Sequence, residues 1–88
     1  MGAIFQINEI KIHYKDKDEL RSKINKELSR MDYYLESESN DFFTYRPSFL
    51  AGIGAGRISV DISEGEKNVA TVIGPKHYVD KLEKKMRA

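Results

Sequence analysis

A chain without cysteine must draw any chemistry from histidines, carboxylates, hydroxyls or glycine-rich loops. The 88 residues contain no cysteine, which removes thiol catalysis, thiolate zinc sites and disulfides together. His13 and His77 are the only histidines. Neither has a second histidine at ligand spacing. His13 lies on the polar parity of a strand and His77 on a basic helix, so both read as surface residues. Asp16, Asp18 and Glu27 are spaced like the outer ligands of a calcium loop. Leu20 stands where an oxygen ligand is needed and Arg21 where the turn needs glycine, so a helix cap is the better reading. Glu64 and Glu66 are paired carboxylates at a hairpin tip. Acid–base work needs a desolvated cleft to separate their pKa values. No G-x-S-x-G elbow occurs among the serines. No catalytic, metal or cofactor site is expected.

The segment Pro47-Ser48-Phe49-Leu50-Ala51-Gly52-Ile53-Gly54-Ala55-Gly56-Arg57 is the least ordinary stretch. Its glycines follow G-x-G-x-G and precede a strand, whereas a dinucleotide fingerprint is G-x-G-x-x-G before a helix. A phosphate loop would need Gly-Lys-Ser/Thr, and a KH-type clamp G-x-x-G between helices. Two readings remain. In one, the segment is a bulged crossing between strands, with Phe49 and Leu50 folded onto the core. In the other, Phe49, Leu50 and Ile53 form an apolar tip for a partner. Arg46 and Arg57 flank it and can receive an anion beside free glycine N–H groups.

A second candidate is the C-terminal helix, with Lys76, Lys81, Lys84, Lys85 and Arg87 against two acidic residues. Such a face can hold phosphates. Cations near a helix C-terminus also complement its dipole, which needs no ligand. Tyr33, Tyr34, Phe42, Phe43 and Tyr45 can stack bases on a sheet, but no RRM signature accompanies them, and in a small domain aromatics are core residues first.

These residues must be positioned by a few elements. Ile4 to Tyr14 reads as a strand, with Ile10, Ile12 and Tyr14 inward. Phe5 and Ile7 fall on the other parity, which predicts a bulge or change of buried face at Asn8-Glu9. Asp16 to Met31 reads as a capped amphipathic helix with a Leu20, Ile24, Leu28, Met31 stripe. Tyr33-Tyr34-Leu35 either extends that helix or opens a strand; the simpler pattern is a hairpin of Tyr33–Glu36 with Phe42–Arg46. Arg57 to Ser63 alternates, with Ile58, Val60 and Ile62 inward, and Asn68 to Ile73 returns. A two-residue loop would put Val69, Thr71 and Ile73 on the Ile58 face and leave Ala70 and Val72 outside. Gly74-Pro75 breaks the strand, with Pro75 at the first helical position. Tyr78, Val79, Leu82 and Met86 then form a second stripe.

The expected fold is α+β over a single domain, 1–88. It is a small antiparallel sheet of four to five strands with two helices on one face, in the order β-α-β-β-β-β-α. Apolar residues make up 40% and charged residues 33% of the chain, with net charge +1. That balance gives no global pull toward nucleic acid. No run is long enough for a membrane span, the N-terminus lacks a signal-peptide pattern, and the missing cysteines favour a cytoplasmic setting. The residues favour a non-catalytic protein-interaction or ligand-binding module, self-association being one form of the contact. The contact would be the 48–56 loop or the outer sheet face. The alternative is a nucleic-acid-binding domain using the basic C-terminal helix.

Overall fold

The protein is described by a computed structural model over residues 6–48, 56–62 and 68–87. β1 (Ile7–His13) leads to α1 (Lys17–Arg30). Four strands follow, β2 (Tyr33–Glu38), β3 (Phe42–Pro47), β4 (Ile58–Asp61) and β5 (Val69–Pro75), and then α2 (Lys76–Arg87). The sheet is antiparallel throughout, with strand order β1-β5-β4-β3-β2. The expected order of elements holds, with five strands.

Local sequence sets the helix ends. The Asp16 carboxylate accepts the Asp18 backbone N–H and caps α1, satisfying one of the donors a helix start leaves unpaired. Met31 ends the helix, and Asp32 follows at φ 66°, the left-handed turn that lets the chain leave a helix. Tyr33 therefore opens a strand and does not extend the helix.

Cross-strand pairing sets the faces. Val60 sits opposite both Val72 and Phe43, Ile10 opposite Val72, and Tyr45 opposite Ile58. Ile10, Ile12, Phe43, Tyr45, Ile58, Val60, Ile62, Ala70 and Val72 thus share one buried face. Leu20, Ile24 and Leu28 of α1 and Val79 and Leu82 of α2 close over it. The β5 faces are the reverse of the expected ones. Ala70 and Val72 are core, while Thr71 and Ile73 lie outside opposite Asp61 and Ser59. In the observed register, odd residues of β4 pair with odd residues of β5, and a one-residue change in a connection moves every side chain to the other face.

β1 differs from expectation too. Its register against β5 is continuous from Ile7 to His13, so no bulge falls at Asn8-Glu9. Asn8 simply points inward and donates to the Asp80 carboxylate of α2 at 2.7 Å. The irregularity lies elsewhere, between Leu35 and Ser37 of β2. β5 also runs on through Gly74 and Pro75 before α2 begins at Lys76. Gly74 is tolerated there because it pairs opposite Asn8 on the buried face. A Cβ on Gly74 would lie 2.7 Å from Ile58 Cγ1 and 3.2 Å from both Ile58 Cα and Val79 Cγ2. Glycine here lets the first turns of α2 settle directly on the sheet.

Two tyrosines join the layers. The Tyr33 hydroxyl donates to the Gly56 carbonyl at 2.8 Å, and its ring meets Tyr78 edge-on at 5.2 Å. The Tyr45 hydroxyl hydrogen-bonds the Asn25 side chain of α1. Burial pushes both phenols up to about 12, with Tyr78 adding to the effect at Tyr33 and Glu38 at Tyr45.

Gly74→Ala is expected to lower unfolding free energy by about 1–3 kcal/mol in urea denaturation, the usual cost of overpacking. Because the neutral phenols of Tyr33 and Tyr45 are favoured in the folded chain, their contribution is complete below the ordinary tyrosine pKa of 10. It is lost as pH rises through about 12. Absorbance titration is expected to show Tyr33 and Tyr45 ionising only in that late range, together with unfolding.

Candidate functional site

Both helices pack on the buried face, so the other face of the sheet has no helix over it. The pairing arranges that outer face in rows across the strands. One row holds Ile7, Pro75, Tyr34 and Arg46, with Arg57 at the entry to β4 beside Arg46. The next holds Glu9, Ile73, Ser59, Thr44 and Ser37, and a third holds Lys11, Thr71, Asp61 and Phe42. Large apolar side chains are open on this face: Ile7 is 72% exposed, Tyr34 49%, Phe42 43% and Ile73 39%.

Arg46 and Arg57, expected to flank the glycine-rich loop, are brought together on this face. The bulge in β2 places Glu36 between them. Arg57 grips its carboxylate through Nε at 2.7 Å and a second guanidinium nitrogen at 3.2 Å, and Arg46 approaches to 3.6 Å. Bidentate pairing of this kind suits the planar arginine fork. The Arg57 hydrogen bond does most to hold the Glu36 carboxyl below its ordinary range. Desolvation opposes it, and the Arg57 and Arg46 charges reinforce it. Any anion binding here must compete with Glu36. Across the described residues of the face, Lys11, Arg46 and Arg57 balance Glu9, Glu36 and Asp61, so their formal charge is zero.

The other candidates separate. Phe49, Leu50 and Ile53 lie outside the described residues. On α2, Lys76 is paired with Asp80 and Arg87 with Glu83 at 3.0 Å, while Lys81, Lys84 and Lys85 are exposed. His13 and His77 are exposed, and His77 makes an edge contact with Tyr78. Among the described residues, no three His, Asp or Glu side chains gather as metal ligands, and no helix is long and apolar enough to cross a membrane.

Of the five aromatics weighed in the sequence, Tyr33, Phe43 and Tyr45 are core, whereas Tyr34 and Phe42 belong to the outer face. Ile7 and Ile73 were not singled out as surface residues. The shared parity of Ile7 with Glu9 and Lys11 is the signal that finds the first; only the β4–β5 register finds the second.

Glu36 and Asp80 are both held below the ordinary carboxylate range, Asp80 first by the Lys76 hydrogen bond and then by that from Asn8. A lowered folded-state pKa contributes stability that is complete above the ordinary value and lost as pH falls below it. Glu36→Gln and Asp80→Asn are each expected to flatten the acid limb of a stability-against-pH curve below about pH 4.5, measured by denaturant titration at successive pH values.

No family model, curated protein or solved structure matches this chain, so the reading of function rests on this face and its neighbours.

Proposed function

We propose that the protein is a non-catalytic interaction module that associates with a second copy of itself through the outer sheet face. The observation that carries this reading is the five-stranded sheet with a helix layer on one side only and four large apolar side chains open on the other. A neutral face of mixed sign does not attract a polyanion and suits a surface of its own kind.

The register supplies the complementarity. A twofold axis running across the strands, through the row of Ile73, Ser59 and Thr44, exchanges the two flanking rows. Arg57 then faces the second copy's Asp61, Arg46 faces its Phe42, and Ile73 meets Ile73. The small side chains Ser59 and Thr44 near the axis allow close approach of two sheets. The outer edges favour this face-to-face mode over strand addition. β2 carries the bulge and β1 alternates Glu9 and Lys11, both devices that discourage edge pairing. Five strands at about 4.8 Å spacing and three rows give a contact of roughly 500 Å² per copy, about 1,000 Å² in total. That is at the low end for a specific interface, so a weak, reversible dimer is the form expected.

Sedimentation velocity over a protein range of about 5 to 500 μM is expected to show a monomer–dimer equilibrium. The double variant Phe42→Ser, Ile73→Ser should stay monomeric with an unchanged circular dichroism spectrum. Dimerisation of that variant, or a strictly monomeric parent protein, overturns the reading. A monomer that instead binds single-stranded RNA in a salt-dependent way, and loses binding on Lys81→Ala, Lys84→Ala, Lys85→Ala, would move the function to α2.

A further inference from the structure

We infer that a groove between the end of β1, the first turns of α1 and the last turn of α2 binds a single-chain amphiphile with a carboxylate head. Apart from Lys11 at its far end, it lies on different residues from the outer face, and the two proposals stand or fall separately.

The groove has a volume of about 400 Å³, within the range of small-molecule sites. Its floor is apolar. Ile12 and Leu20 are buried core residues, and Tyr14 and Met86 are half-buried side chains leaning on the same core. Methionine is the apolar side chain that adapts most readily to an irregular chain. The rim is cationic. Lys15 and Lys23 line it, and neither forms an ion pair among the described residues. Lys23 is only partly exposed, so part of its side chain lies against the protein surface. Among the described residues, Glu19 is the one acidic group lining it. Among the described lining residues, two lysines against one glutamate leave a charge of +1, which matches a monoanion better than a phosphate dianion.

The shape asks for a long ligand. A second hollow of about 280 Å³ adjoins the groove, with Ile12, His13 and Met86 lining both. The charges at that far end are already satisfied. Arg87 is paired with Glu83, and Lys11 lies 3.8 Å from Glu9. A carboxylate between Lys15 and Lys23 with an aliphatic tail running over Leu20 and Met86 meets both ends of this arrangement.

The test is a titration of the full chain, followed by amide chemical shifts, with octanoate below its micelle concentration. Octan-1-ol, acetate and inorganic phosphate serve as comparison probes. Octanoate is expected to give saturable shifts at Tyr14, Leu20, Lys23 and Met86. Lys15→Ala, Lys23→Ala should weaken it about tenfold, the size of two exposed ion pairs, and Lys15→Arg, Lys23→Arg should restore most of the loss. Octan-1-ol should bind at least several-fold more weakly. The proposal is overturned by an absence of saturable shifts, by equal binding of octan-1-ol, by octanoate affinity unaltered in the alanine variant, or by acetate or phosphate reproducing the octanoate shifts. A dispersed spectrum of the lysine variants, whose side chains lie outside the core, separates loss of binding from loss of fold.

Discussion

β1 lies against β5 over seven residue pairs, joining the two strands that are furthest apart in the chain. This pairing is the constraint on which the remaining structure depends. It places Ile10 and Ile12 over Val72 and Ala70 and so completes the buried face. α2 begins at the residue after β5 ends, so the pairing also fixes where the second helix can lie. The helix is held there from both strands. Gly74 gives Val79 room to reach the sheet, and Asn8 of β1 donates to Asp80. The Lys76 backbone N–H reaches back to the Gln6 carbonyl at 2.8 Å. Loop closure across most of the chain costs entropy that only long-range burial can offset. The contacts that repay it are concentrated where β1, β5 and α2 meet.

The second consequence is an imbalance between layers. Two helices can cover one face of five strands and no more. The uncovered face must therefore be compatible with water or with a partner, and its composition shows both demands. Ile73, Ser59 and Thr44 lie in its middle row, charges of both signs surround them, and Ile7, Tyr34 and Phe42 stand in the outer rows. The bulge in β2 contributes by turning Glu36 onto this side, where it holds Arg46 and Arg57 together. On the buried side the same strand sends Glu38 to Arg21, whose guanidinium lies 4.7 Å from the centre of the Phe43 ring. One extra residue in an edge strand thus lets acidic side chains of β2 serve both faces.

Much of the architecture was legible in the sequence. Leu20, Ile24 and Leu28 at helical spacing behind Asp16 marked α1, and Ile58, Val60 and Ile62 in alternation marked β4. These signals are local: each depends only on the period of one element and the chemistry of its cap. The β5 faces are not legible locally, because alternation in Val69 to Ile73 is nearly symmetric, with apolar residues on both parities. Nothing within the strand distinguishes Val72 as core from Ile73 as surface; the cross-strand partners Val60 and Ser59 do. The candidate site was legible only in fragments. Arg46 and Arg57 flank a glycine-rich loop in the sequence, yet what joins them is Glu36, ten residues before the nearer arginine and beside a bulge that no residue type announces.

By itself, then, the sequence determined the elements, their order and the absence of cysteine chemistry, because caps, periods and composition act over a few residues. The tertiary structure alone decided which face of the sheet is bare, which side chains meet on it, and that Lys15 and Lys23 border an apolar groove floored by Leu20 and Met86. Those outcomes depend on register and on contacts between residues distant in the chain, and a change of one residue in register would have exchanged the two faces.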